Sequence, residues 1–391
     1  GGLLLRKQLL AAGFGIAGML VLSGVTYQIY RQYAPALFAV GVILLILPLL
    51  LSTPIRGTRA WLTWGRFAVQ PSEFARLFML LAVAALIDRT QPARRARAIP
   101  LAAALMGVAA ALVLLEPDFG SAMVYGPLLL VLGYLAGTPA PYLWGLSVAG
   151  ALALVIPFGA TFLTLQFGWR IGPPAMVLLG AGLLGLLAVG YALANRLRMA
   201  VPVSVLLVSA LVVVAGVGAG GAMLHGVKDY QRKRLVVFLN PGLDPLGAGY
   251  SVIQSKVAIG SGGLFGKGLF SGTQSQLGFI PERHTDFIFA LIGEELGFWG
   301  AALTLAAFAA LTLRAFAISL SARDRYGSLV AAGVGTIFGF YGAVNLGMTM
   351  GVAPVAGLPL PFVSYGGSSM VASCLQVGVL LNIHARRHVH A

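Results

Sequence analysis

Eleven carboxylates are spread through 391 residues, few enough to weigh one by one. Asp286 stands apart. It closes a polar stretch and opens an apolar one, Thr285-Asp286-Phe287-Ile288-Phe289. An aspartate in that place can cap a helix by accepting its first backbone N–H groups, or it can carry a function at the edge of the apolar run. Glu294 follows eight residues later, about two helical turns on, on nearly the same face. An acid inside an apolar span is costly unless it faces a polar cavity or a partner. Glu116 and Asp118 flank Pro117 at the end of another apolar run. They can be interfacial and structural or can line a polar cavity. Glu73 and Arg76 stand one turn apart and read as a local ion pair. Asp88 and Asp324, each beside an arginine, read as solvated loop charges.

The basic groups collect near Asp286. Gln231-Arg232-Lys233-Arg234 is followed by Gln254-Ser255-Lys256 and by the glycine-rich run Gly260-Ser261-Gly262-Gly263-Leu264-Phe265-Gly266-Lys267-Gly268. Glycines let backbone amides turn toward an anion, and lysine adds a point charge. The run is not a P-loop: Ser261 stands where the first glycine would be, and Gly268 where Ser or Thr would hold magnesium. A tightly folded re-entrant segment explains the glycines equally well. Arg56, Arg59, Trp61, Trp64 and Arg66 form a second basic-aromatic cluster, either an interfacial anchor or a contact surface for a charged headgroup or sugar. Pro354, Pro359 and Pro361 precede Ser364-Tyr365-Gly366-Gly367-Ser368-Ser369, a composition that fits irregular backbone lining a cavity. No HExxH or paired-histidine spacing points to zinc, and the single Cys374 excludes an internal disulfide.

These groups are positioned by apolar spans. The hydrophobic fraction is 59% and the charged fraction only 9%, too little charge to cover a soluble surface. Runs of bilayer-crossing length recur at 8–25, 35–52, 72–88, 99–115, 119–136, 141–158, 174–194, 199–219, 287–311, 328–349 and 366–383. The expected fold is therefore all-α, a polytopic transmembrane bundle of about eleven spans, because backbone polar groups in lipid must pair within the segment. The net charge of +15 fits basic loops against anionic lipid and does not imply a nucleic-acid partner. With 89–98 inside, alternation puts 12 basic loop residues inside and six outside (Arg6, Lys7, Arg56, Arg59, Arg66 and Arg170). The C-terminus is then cytoplasmic and the long segment 220–286 lies outside, too long for a plain connection; it is expected to hold re-entrant or amphipathic elements.

Four stretches together resemble one family. YQRKRLVVFLNPGLDPLGAGYSVIQSKVAIGSGGLFGKGLFSGTQSQLGFIPERHTDFIFALIGEELG at 230–297 is similar to the long extracytoplasmic loop and following helix of the SEDS proteins (shape, elongation, division and sporulation). PVAGLPLPFVSYGGSS at 354–369, GTRAWLTWGRFAVQPSE at 57–73 and EPDFGSA at 116–122 resemble its other signatures in the right order. FLNPGLDPLGAGY, GTQSQL and PERHTDF resemble the elongation (RodA) branch. The resemblance implies a multi-pass protein of the bacterial cytoplasmic membrane with its active site facing outside. It implies a peptidoglycan glycosyltransferase polymerising lipid II, with a class B penicillin-binding protein as partner transpeptidase. The family's essential loop aspartate falls on Asp286, its membrane-edge glutamate on Glu116 and its Arg-Trp signature on Arg59 and Trp61. Glu282 and His284 lie in the PERHTDF motif, and Ser364 and Tyr365 in the SYGGSS motif; all four are expected to contact substrate.

The whole chain, 1–391, then reads as one membrane-embedded domain. The family usually has ten spans, the first preceding the segment that starts here near Leu3, and the pair over 174–219 reads as an insertion. The expected chemistry is proton removal from an acceptor hydroxyl by Asp286, with Arg59, Arg232, Arg234, Lys256 and Lys267 stabilising a leaving pyrophosphate. A divalent cation, Mg2+ or Mn2+, could assist; the residues demand no cofactor. The competing reading is a transporter that flips lipid II; a scaffold for a penicillin-binding protein would leave the outer cations unexplained.

Overall fold

The computed structural model describes residues 2–52, 58–64, 67–91, 95–167, 172–196 and 249–387, with scattered positions between 206 and 238. Arg56, Arg66, Arg94, Arg170, Arg198, His225, the Gln231–Arg234 cluster with Arg232 and Arg234, His388 and His390 lie outside the described residues. So does most of the expected span at 199–219.

The described chain is almost entirely helical, as the apolar runs require. In order come α1 (Gly2–Gly24), α2 (Gln28–Gln32), α3 (Ala34–Leu51), β1 (Leu62–Trp64), β2 (Phe67–Val69), α4 (Pro71–Arg89) and α5 (Arg95–Leu115). There follow α6 (Phe119–Met123), α7 (Tyr125–Leu135), α8 (Ala140–Phe167), α9 (Pro173–Arg196), α10 (Tyr250–Ser261), α11 (Thr273–Gln276), α12 (Ile288–Ser321), α13 (Arg325–Met350) and α14 (Gly367–Ala385). Among the described residues, seven helices are long and apolar enough to cross a membrane. The expected single span at 119–136 is two helices meeting at Val124. The sequence reading did not foresee the hairpin in which Leu62 pairs antiparallel with Val69 and Trp64 with Phe67.

Two compact units are present. Residues 138–253 form one, in which Ile156, Val213 and Val217 are packed by Leu152, Met176 and Leu183. The other, residues 1–137 and 254–391, carries the chemistry. Its centre is α13, which packs on α12, α7 and α4, while α14 packs on α1 and α3 on α4. Small residues let these helices close up without a hydrophobic drive: a side chain at Gly378 would strike the backbone of Met19. Asp88 and Asp324, expected as solvated charges, are otherwise employed. Asp88 is largely buried and pairs with Arg31 at 2.7 Å, and Asp324 caps α13 through Gly327 N–H at 2.7 Å. These groups occupy one end of the unit. The starts of α4, α12 and α14 and the ends of α5 and α13 gather at the other.

Candidate active site

Asp286 sits on a turn that is closed on itself. The Glu282 carbonyl accepts from the N–H groups of Thr285 (3.1 Å) and Phe287 (3.3 Å) and from the Thr285 hydroxyl (3.2 Å). Glu282 itself adopts φ +54°, a conformation that costs a non-glycine residue about 1–3 kcal/mol and collects at functional sites. Three successive carbonyls, those of His284, Thr285 and Asp286, are each gripped from elsewhere. His284 O accepts from Tyr365 N–H (2.7 Å), Thr285 O from the Ser364 hydroxyl (2.6 Å), and Asp286 O from the Asn345 side-chain amide (3.0 Å). The Ser364 hydroxyl also accepts from Leu360 N–H at 2.8 Å. Gln8 of α1 brackets the Ser364–Gly366 backbone, donating to Ser364 O at 3.3 Å and accepting from Gly366 N–H at 3.2 Å. Asp286 is half-buried, and Phe287, whose side chain makes no cap hydrogen bond, is the residue that precedes α12.

The glycine-rich run is clamped onto α12. That helix is broken at Gly297 (φ +67°, ψ −158°). A Cβ on Gly297 would lie 2.3 Å from Gly266 N and 2.8 Å from Leu264 O, so glycine is required there. Lys267 N–H donates to Glu294 O and Gly268 N–H to Glu295 O, both at 3.0 Å. The Glu294 carboxylate, 0% exposed, accepts from Lys267 Nζ (2.9 Å), the Thr273 hydroxyl (3.1 Å) and Gln274 N–H (2.9 Å). Lys267, expected among the pyrophosphate-facing cations, is thus placed in an ion pair with a buried acid, and the glycines serve close packing.

On the other side, Arg59 N–H donates to Glu116 O at 3.2 Å and Arg59 O accepts from the Ser52 hydroxyl at 2.9 Å. The Arg59 side chain is exposed and Trp61 half-buried. Glu116 is 0% exposed, and neither carboxyl oxygen meets a hydrogen-bond partner among the described residues. Burial first, and the neighbouring Asp118 second, push its carboxyl up to about 8. Asp118 caps α6 by accepting from Ser121 N–H at 3.1 Å and also accepts from Gln70 Nε2 at 2.8 Å. Behind it, buried Arg76 pairs with Glu73 at 2.5 Å and lies 4.2 Å over the Tyr341 ring.

The Pro354–Ser369 segment ties the two sides together. Its Ser368 hydroxyl accepts from Gln70 N–H at 2.9 Å, Ala356 O packs against Gly120, and Ser364 and Tyr365 hold the Asp286 turn. Residues 254–297 and the described parts of the other three family-like stretches therefore reach one end of the unit. Ser364, expected to contact substrate, is buried with its hydroxyl spent on backbone, while Tyr365 is half-buried. Glu282, His284 and Lys256 are exposed. Partial burial and the neighbouring Arg283 lower the His284 pKa, which favours its neutral form. Among the described residues no group of three or more His, Cys, Asp or Glu gathers to hold a metal ion. The sequence reading missed Asn345, Gln8 and Gln70, and met Ser368 only as part of the cavity-lining run. A polar side chain inside an apolar span was the available signal for Asn345.

The cell cycle protein family model FTSW_RODA_SPOVE matches residues 2–171 and 175–389. A similar relative is the peptidoglycan glycosyltransferase RodA of Treponema pallidum (strain Nichols), 35% identical over 394 residues, with 97% of this chain and 89% of the relative covered. Among solved structures, the fold resembles a chain from work on structural coordination of polymerization and crosslinking by a peptidoglycan synthase complex. That match has 31% identity and TM-score 0.64, covering 99% of this chain and 90% of the other. It also resembles the Thermus thermophilus rod shape determining protein RodA, at 26% identity and TM-score 0.60, covering 100% and 90%.

Proposed function

We propose a substrate and a mechanism for this chain, which belongs to the FTSW_RODA_SPOVE family of cell cycle proteins. It is an integral membrane peptidoglycan glycosyltransferase of the RodA type, acting in cell elongation and shape maintenance. Its substrate is lipid II, the disaccharide-pentapeptide on undecaprenyl pyrophosphate. The site end of the bundle faces the outer side of the bacterial cytoplasmic membrane, a reading supported by 12 against six basic loop residues. A class B penicillin-binding protein is the partner that cross-links the product.

Asp286 acts as the general base. Its carboxylate takes the proton of the acceptor's GlcNAc 4-hydroxyl as that oxygen bonds to the donor's MurNAc anomeric carbon. The bond from that carbon to the pyrophosphate oxygen breaks, and the undecaprenyl pyrophosphate leaves with the electron pair. The exposed Arg59 guanidinium, two residues before Trp61, meets that growing negative charge. Arg232, Arg234 and Lys256 are further candidates for the same task. A Mg2+ or Mn2+ ion, if one takes part, would be held chiefly by diphosphate oxygens and one or two carboxylates.

One observation carries the reading: Asp286 stands half-exposed on a turn in which the carbonyls of His284, Thr285 and Asp286 are each held by a donor from another element. A positioned base is worth about 10²–10⁴ in rate. Purified wild type incubated with lipid II is expected to make glycan strands on a gel, and Asp286→Asn to lose them while keeping its melting temperature. Normal strands from Asp286→Asn would refute the base. A wild type that moves lipid II across vesicles without polymerising it would favour the transporter.

A further inference from the structure

Turns move more readily than the helices they join, and a general base must be held to a fraction of an ångström. The turn bearing Asp286 is fixed by donors arriving at three successive carbonyls, and the donor to Asp286 itself is a side chain deep in the bundle. Asn345 of α13 is 0% exposed. Its amide nitrogen donates to Asp286 O at 3.0 Å and to Leu358 O at 2.7 Å, spending both N–H groups. The amide orientation is dictated by these partners, since the opposite flip would set an oxygen against two carbonyl oxygens.

Asn345 is in turn anchored below. The Thr349 hydroxyl donates to Asn345 O at 3.1 Å, and the Ser255 hydroxyl of α10 donates to Thr349 O at 2.7 Å. An apolar residue would be the cheap choice in a helix whose neighbours are Val344 and Leu346. We propose that Asn345 is a positioning residue for glycosyl transfer: together with the Ser364 hydroxyl it fixes the backbone of the turn that carries the Asp286 carboxylate, touching neither sugar nor pyrophosphate. This rests on Asp286 being the base.

The predicted signature is a loss of turnover without a loss of binding. Purified Asn345→Ala, Ser364→Ala, Ser364→Thr, Asp286→Ala and wild type are compared for lipid II polymerisation, with melting temperature as the fold control. Asn345→Ala and Ser364→Ala are expected to lower kcat by about 10²-fold with apparent KM unchanged, the scale of a misplaced catalytic group. Ser364→Thr, which keeps the hydroxyl, restores it. A folded Asn345→Ala with wild-type kcat, or a change confined to KM, overturns the proposal. If Asn345→Ala does not fold, the Ser364 pair decides in the same way. An inactive Asp286→Ala beside a fully active Asn345→Ala overturns the positioning role alone; an active Asp286→Ala removes the base and this inference with it.

Discussion

Gln70 Nε2 donates to Asp118 Oδ2 at 2.8 Å, joining the residue before α4 to the residue before α6 across 48 positions of sequence. The backbone N–H of the same glutamine donates to Ser368 at the start of α14. Three helix starts are thus registered against one another by one side chain and its own amide. Since Ser364 and Tyr365 of the neighbouring turn hold the Asp286 loop, the registry extends to the proposed base.

Asp118 serves both as a cap and as the acceptor in that registry. Asp118→Ala removes the cap of α6, a loss of about 0.5–2 kcal/mol, and leaves the half-buried Gln70 amide without this acceptor. Asp118→Asn keeps an oxygen for Ser121 N–H and is expected to recover most of the stability. Melting of the detergent-solubilised variants distinguishes them; equal stability of Asp118→Ala and wild type would remove Asp118 from the registry.

The Glu73–Arg76 pair lies in α4 with both side chains buried. Arg76→Met strips the guanidinium from a buried acid and should cost about 3–5 kcal/mol, whereas adding Glu73→Gln to it should return much of that loss. Tyr341 is part of the same unit, its hydroxyl donating to Glu73 Oε1 at 3.4 Å and its ring lying under Arg76. Tyr341→Leu is expected to destabilise by less than Arg76→Met. A double variant no more stable than Arg76→Met alone would mean that the pair does not act as a unit.

The helical bundle was legible because lipid leaves few options: an apolar run of span length must be a helix. The ends of α12, α13 and α14 fall within a few residues of the expected spans at 287–311, 328–349 and 366–383, except that α12 continues to Ser321 past the expected end. The residues of the site were legible by type, since an acid at the edge of an apolar run is rare enough to be noticed. Their partners were not. Nothing local to Lys267 says that its charge is taken by Glu294, 27 positions on, and nothing near Asn345 says that it reaches Asp286, 59 positions back. Such pairings are set by helix packing and by the break at Gly297, which look like ordinary glycine-rich membrane sequence until the backbones are seen to touch.

Glu116 gives a pH prediction with a definite sign. Its folded-state pKa of about 8 lies above the ordinary 4.5, so the folded protein favours the protonated acid. The stabilisation is complete below about 4.5 and is lost as pH rises through about 8. Melting temperature should fall across that window, and Glu116→Gln, which is always uncharged, should flatten the fall. Parallel pH curves for the two proteins would show that Glu116 is ionised at neutral pH.

Lys267 separates two readings of the glycine-rich run. If its charge faced a pyrophosphate, Lys267→Met would raise the apparent KM for lipid II and leave the fold alone. In the structure its partly exposed ammonium pairs with the fully buried Glu294 carboxylate, and a buried acid stripped of a charge partner costs about 3–5 kcal/mol. Lys267→Met is therefore expected to lower the melting temperature sharply. Lys267→Met combined with Glu294→Gln should recover much of the loss, because the amide needs no counter-charge while it still accepts from Thr273 and Gln274. Gly297→Ala should reproduce the damage by forcing Gly266 away from the kink. A Lys267→Met protein that melts like wild type but binds lipid II poorly would return this lysine to the phosphate side of the site.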